Sequence, residues 1–173
     1  VGSDVTGLSV GDRVVVPFQI ACGSCFMCDE GLHTQCETTQ VREHDKGAAL
    51  FGYSALYGSV AGAQAEYLRV PHADFGPIVV PEGPPDDRFL FLSDVLPTAW
   101  QSVAYAGVGP DDVLAVLGLG PIGEMACRIA QHLGVGRVIG VDLVDDRLAQ
   151  ARSHGVETVD VRDHDDVGVV LKE

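Results

Sequence analysis

Asp111-Asp112-Val113-Leu114-Ala115-Val116-Leu117-Gly118-Leu119-Gly120-Pro121-Ile122-Gly123, read on to Val141-Asp142, decides the fold of this 173-residue chain. The aliphatic run Val113 to Leu117 predicts a strand, and Gly118-x-Gly120-x-x-Gly123 breaks it. Met125, Ala126, Ile129, Ala130 and Leu133 then recur at helical spacing as far as Gly134. A second run, Arg137 to Val141, ends in Asp142, 24 positions after Gly118, where a dinucleotide-binding unit places its ribose-holding acid. In this reading Gly118 permits the tight turn, Gly120 lets backbone approach a pyrophosphate, and Gly123 lets helix and strand pack closely. Residues Gly118, Leu119, Gly120, Pro121, Ile122 and Gly123 then form the cofactor cradle, with the anion on free N–H groups at the helix start. Asp142 would accept both hydroxyls of an adenine ribose and repel a 2′-phosphate, which favours NAD over NADP. The plain alternatives are a βαβ turn that binds nothing and an acid that merely closes a strand.

Downstream, Asp145 to His154 predicts a short helix stopped by Gly155, and Val156 to Val161 the next strand; from Asp163 onward no element is expected. Cys127, on the first helix at core spacing, reads as a packed thiol. The fold class is therefore α/β, a doubly wound parallel sheet that is incomplete, since the chain carries at most the first mononucleotide half.

Upstream the character changes. Gly11-Asp12-Arg13-Val14-Val15-Val16-Pro17 reads as a turn feeding a strand, and Gly62 to Pro71 as an alternating strand. Residues 37–60 read as a loop, and Val79 to Asp87, dense in Pro and acid, as a linker. This gives a partial all-β domain over 1–87 and a dinucleotide-binding half over 88–173. Within the first, Cys22, Cys25, Cys28 and Cys36 place four of the five cysteines in 15 residues. Four thiolates at that spacing suit a closed tetrahedral structural zinc site, which lets a loop with almost no core hold one shape. Disulfides are the weaker alternative, because close pairs staple little and the NAD signal implies a reducing compartment. His33 inside the loop is superfluous as a ligand and reads as a surface residue; His44, His72, Tyr53 and Tyr57 read as ordinary solvated or packed side chains.

Phe89 to Val103 sets one carboxylate, Asp94, in an apolar run. Either Ser93 or Asp94 caps a helix running to about Ala106, with Gly107 past its end, or Asp94 is functional. Trp100 is expected in the core.

A net charge of −14 with 11 scattered Lys and Arg argues against a nucleic-acid or anionic-membrane partner. No apolar run reaches membrane-spanning length, and no signal peptide is recognisable, so a soluble, cytoplasmic protein is expected. The start at Val1, without Met, reads as the middle of a longer protein.

The Gly11-Asp12-Arg13-Val14 turn, the four-cysteine loop and the glycine turn, in this order along the chain, resemble the zinc-dependent medium-chain alcohol dehydrogenases. The resemblance implies a GroES-like β domain whose Cys22, Cys25, Cys28, Cys36 lobe holds structural zinc, ahead of a Rossmann domain. Phe91 to Thr98 resembles the formaldehyde dehydrogenase-like branch, which makes Asp94 a catalytic-zinc ligand. By the same resemblance Thr98 contacts the nicotinamide, and Arg147 lies by the adenine ribose. The family's other catalytic-zinc ligands and its proton relay would lie before Val1, so the chain alone should not turn over. The implied activity is hydride transfer between a small-molecule alcohol or aldehyde and NAD, in a homodimer or homotetramer. Polyol or threonine dehydrogenases, or a non-catalytic nucleotide-binding homologue, are the alternatives.

Overall fold

The computed structural model describes residues 1–172. The chain divides into two compact units, Val1–Ser93 and Asp94–Glu173.

The first unit is largely irregular. Strand β1 (Val14–Val15) pairs antiparallel with β2 (Ile78–Val79), Val14 opposite Val79 and Val15 opposite Ile78. Its main cluster is Ile20, Ala49 and Phe51, with Val16, Val60, Leu68 and Val70 packed on them. A one-turn helix, α1 (Phe26–Asp29), lies inside the cysteine loop. Residues Asp86–Ser93 form 3-10 turns, tied back when the Arg13 guanidinium donates to Asp86 and to the Pro84 carbonyl and lies over the Phe89 ring.

The expected strand over Gly62–Pro71 does not form. Its alternation still turns Leu68 and Val70 onto the cluster while Tyr67 is 90% exposed. Alternation selects a face, but a strand also needs a neighbour for its N–H and C=O groups, and no described strand pairs with this segment.

In the second unit, helix α2 (Val95–Ala106) stops at Gly107, whose φ of 61° is left-handed. It packs on the following helix through Ala99 and Val103, one turn apart. Trp100, one residue round from that stripe, is 48% exposed rather than in the core. Strands β3 (Val113–Leu117), β4 (Arg137–Asp142) and β5 (Glu157–Asp160) form a parallel sheet in the order β3-β4-β5, with Leu117 beside Val141 and Val141 beside Val159. Helix α3 (Pro121–His132) connects β3 to β4, and α4 (Asp145–Ser153) connects β4 to β5. Ala126, Cys127, Ile129 and Ala130 of α3 fill the core with Val138 and Leu148, whereas Leu133, past the helix end, is 46% exposed. A short helix not anticipated from sequence, α5 (Val167–Val170), is capped by Asp166, whose side chain accepts the Gly168 N–H. Its Val167 and Val170, with Leu171, cover Ile139, Val141 and Val159. No described helix is long and apolar enough to cross a membrane.

Candidate functional site

The chain reverses off β3 at Gly118, whose φ of 91° is a conformation that a Cβ would strain. A Cβ on Gly123 would lie 1.8 Å from the Gly118 carbonyl oxygen, so the first turn of α3 can pack onto the glycine bend only without a side chain there. Gly120 is the N-cap of α3, and a Cβ on it would meet nothing within 4 Å, which is open space where an anion can approach.

The amides of the cradle are not equivalent. The Gly118 N–H donates to the Val141 carbonyl at 2.7 Å, and the Leu119 N–H donates to Asp142 Oδ2 at 2.6 Å. Pro121 has no N–H, and the first helical bond runs from the Glu124 N–H to the Gly120 carbonyl. That leaves the N–H groups of Gly120, Ile122 and Gly123 without acceptors among the described residues, facing outward from a helix N-terminus.

Asp142, the last residue of β4, is buried. Besides the Leu119 amide on Oδ2, its Oδ1 accepts the N–H groups of Leu143 at 2.7 Å and Val144 at 2.9 Å. These bonds, Leu119's foremost, hold its carboxyl below the ordinary carboxylate range against the opposing effect of burial. Arg147 Nη1 stands 3.6 Å from Oδ2. An ionised carboxylate offers about four acceptor positions. Three are taken by amides, so one remains free of them. Asp142 and Arg147 line an apolar cleft of about 660 Å³ with Leu117, Val141, Val161 and Leu171, beyond the carboxyl ends of the three strands. A second cleft of about 440 Å³ runs along Gly118 to Gly123 and reaches Ser102.

The first unit carries a different centre. The Sγ atoms of Cys22, Cys25, Cys28 and Cys36 all lie within 4.8 Å of one another, and all four are free thiols. Cys22 and Cys28 are 4.0 Å apart and Cys25 and Cys36 3.9 Å. Zinc–sulfur bonds of about 2.3 Å set tetrahedral edges of about 3.8 Å, so this is a shape that zinc fits with little adjustment. The Thr38 hydroxyl, then the Ser24 N–H, draw Cys22 down to about 5, whereas burial pushes Cys28 up to about 11. The local core is only Ala21, Ala48 and the sulfurs themselves. The cluster fits a structural zinc site, and four sulfurs leave no open position for chemistry.

Asp94 stands at the N-cap of α2, but neither its side chain nor that of Ser93 caps the helix. Asp94 Oδ1 accepts from the Thr98 hydroxyl at 2.9 Å, and the Ser93 hydroxyl donates to the Leu90 carbonyl. Asp94 is exposed, which relieves the burial cost that its apolar neighbours suggested. It belongs to no metal-ligating group among the described residues; the four cysteines are the one such group.

His33 is half-buried, not a free surface residue, with its ring edge-on to Phe75 at 5.0 Å. Tyr53 packs edge-on against Tyr57 and Phe18. Cys127 is fully buried, and burial, then the Glu124 charge, push its thiol up to about 11, as for an inert packed residue. Sequence reasoning missed Glu124, whose buried carboxylate meets His154. The available signal was its position three residues before Cys127, on the helix face that points inward.

Residues 1–81 match the alcohol dehydrogenase GroES-like domain. The whole chain is 45% identical to the uncharacterized zinc-type alcohol dehydrogenase-like protein AdhB of Bacillus subtilis, covering 46% of it. Over 99% of its length it is 40% identical to the glutathione-independent formaldehyde dehydrogenase of the same organism, covering 42% of that protein. Among solved structures, alcohol dehydrogenase TADH from Thermus sp. ATN1 matches 99% of the chain with a TM-score of 0.85 and 34% identity, the chain covering 47% of it. The chain thus spans a little under half the length of the relatives it matches. The GroES-like unit with its four-sulfur centre thus carries the alcohol dehydrogenase GroES-like domain, and the chain as a whole is similar to zinc-type alcohol dehydrogenases and to a formaldehyde dehydrogenase.

Proposed function

We propose that this chain supplies the structural-zinc lobe and the adenine-side half of the cofactor cleft of an NAD-dependent alcohol or aldehyde dehydrogenase of formaldehyde dehydrogenase-like type. One observation carries the reading. Three free amides at the start of α3 open beside an apolar cleft that ends at the buried Asp142. In this reading the Gly120, Ile122 and Gly123 amides hold the pyrophosphate. Asp142 accepts one adenine-ribose hydroxyl, Arg147 lies beside it, and the apolar cleft takes the adenine.

Asp94 offers one carboxylate to a catalytic metal, held by Thr98, which also lies toward the nicotinamide end in this reading. The remaining ligands would be residues other than those described. When bound, NAD supplies the hydride-accepting nicotinamide C4, and zinc supplies polarisation of the substrate oxygen. The residues of this chain bind and orient; Asp94 does not complete a metal site by itself.

Calorimetric titration with ADP-ribose and NADH tests the cleft. Binding of both with one site per chain is expected, and no heat from either sinks the reading. A substrate panel of formaldehyde, primary alcohols and polyols on the complete enzyme then separates the activities.

A further inference from the structure

Among the described residues, the Leu119 N–H is the one amide of the glycine bend that a side chain holds, and that side chain is Asp142. Leu119 is itself buried, with its side chain over Gly140 of β4. The bend is thus fastened at three points: the Gly118 N–H on the Val141 carbonyl, the Leu119 N–H on Asp142 Oδ2, and the Leu119 side chain on Gly140. Two of those are backbone or packing contacts inherent in the sheet. The third depends on a single carboxylate, locked in turn by the Leu143 and Val144 amides.

From these contacts we infer that Asp142 is a positioning residue for pyrophosphate binding: by holding the Leu119 amide inward, it fixes the turn from which the Gly120, Ile122 and Gly123 amides face the anion. This inference rests on the proposed dinucleotide site and goes beyond a ribose contact. A carboxylate beside a diphosphate repels it through space. Its net effect on anion binding is therefore the sum of an unfavourable charge and a favourable preorganisation of donors, and the inference states that preorganisation wins. Once the turn is held, no donor has to be reoriented as the anion arrives.

The two effects have opposite signs, so one substitution separates them. Asp142→Asn keeps an oxygen for Leu143 and Val144 but turns an amide donor toward the Leu119 N–H, breaking that link while removing the charge. The measurement is the ratio of ADP to adenosine affinity, by calorimetry on the full chain, which cancels whatever the ribose contact contributes. Positioning predicts that this ratio falls by roughly tenfold, the worth of one charge-assisted hydrogen bond. A ratio that stays constant or rises overturns the inference while leaving the dinucleotide site intact. If the parent chain binds neither ADP nor ADP-ribose, the proposed function fails and the inference fails with it. Should Asp142→Asn not fold, amide hydrogen exchange on the unmodified chain decides. The Leu119 N–H should exchange as slowly as that of Gly118, and exchange as fast as the free Ile122 amide overturns the inference.

Discussion

The Glu124 carboxylate meets the His154 imidazole at the corner between α3 and the end of α4, Oε1 lying 2.5 Å from Nδ1, while Oε2 is buried with no partner among the described residues. Removing one member of such a pair costs more than replacing the buried charge itself, because a lone buried carboxylate loses its solvation without compensation. His154→Ala is therefore expected to destabilise the chain by about 2 kcal/mol. Glu124→Leu removes the orphan oxygen together with the charge and should lie within about 1 kcal/mol of the parent, on either side. Urea unfolding of both variants checks the order; a greater loss from Glu124→Leu would mean the pair is a net stabiliser.

The cysteine lobe has almost no core other than its sulfurs, so its shape depends on what they bind. Zinc content should be near one per chain, and Cys25→Ser should lower it and let a chelator unfold the lobe at lower concentration. Plasma emission measurement of zinc, with proteolysis between residues 20 and 50 as the structural readout, checks both. Unchanged zinc in the variant would show that the four sulfurs do not hold it together.

Gly123 offers a test of the bend that touches no charge. A Cβ there would sit 1.8 Å from the Gly118 carbonyl oxygen, a backbone atom that cannot rotate away. Gly123→Ala must push α3 off β3. It should cost about 1–3 kcal/mol, as overpacking does, and weaken ADP-ribose at least about tenfold. Unfolding curves and calorimetry on the same preparation check it, and unaltered ADP-ribose affinity would mean that the free amides do not hold the anion.

What could be read from the sequence was whatever a local rule determines. Gly118 to Gly123, the strand before them and Asp142 after them follow from turn sterics and aliphatic runs, and the sulfurs from their spacing. The misreadings came where a partner far along the chain decides. Gly62 to Pro71 alternates as a strand should, yet it has no described neighbour to pair with. Trp100 looks like core by type, but Ala99 and Val103 set the buried face of α2. Glu124 and His154 are 30 residues apart, and nothing local announces their contact. Asp142 shows the same limit: its spacing marks it as an acid at a strand end, but not that it also ties down the Leu119 amide.

Acid should weaken the second unit in a defined window. Arg162's guanidinium, then its N–H, hold Asp160 at about 2, below the ordinary 3.8. Asp142 is lowered as well, chiefly by the Leu119 amide. A folded value below the unfolded one means that the bonds contribute fully above the unfolded value and are lost as pH falls through the folded one. Stability should therefore be flat down to about pH 4 and fall between about 4 and 2. Asp160→Asn should shallow that decline, as read from urea midpoints against pH; an identical slope would mean that Asp160 is not among the groups responsible.

Cofactor choice should follow the pair of charges at the end of β4. Asp142 presents a carboxylate with one acceptor position left, and Arg147, half exposed, stands 3.6 Å from it. A 2′-phosphate placed there meets the carboxylate's repulsion and the guanidinium's attraction, whereas a 2′-hydroxyl gains a hydrogen bond from the first and little from the second. Asp142→Ala should weaken NADH and NADPH together, because it frees the Leu119 amide, but NADH by about tenfold more. Arg147→Gln should act in the opposite sense, weakening NADPH more than NADH. Fluorescence titration of both variants with both nucleotides gives the four affinities. If Asp142→Ala lowers the two equally, the carboxylate acts only on the glycine bend and some other group reads the ribose.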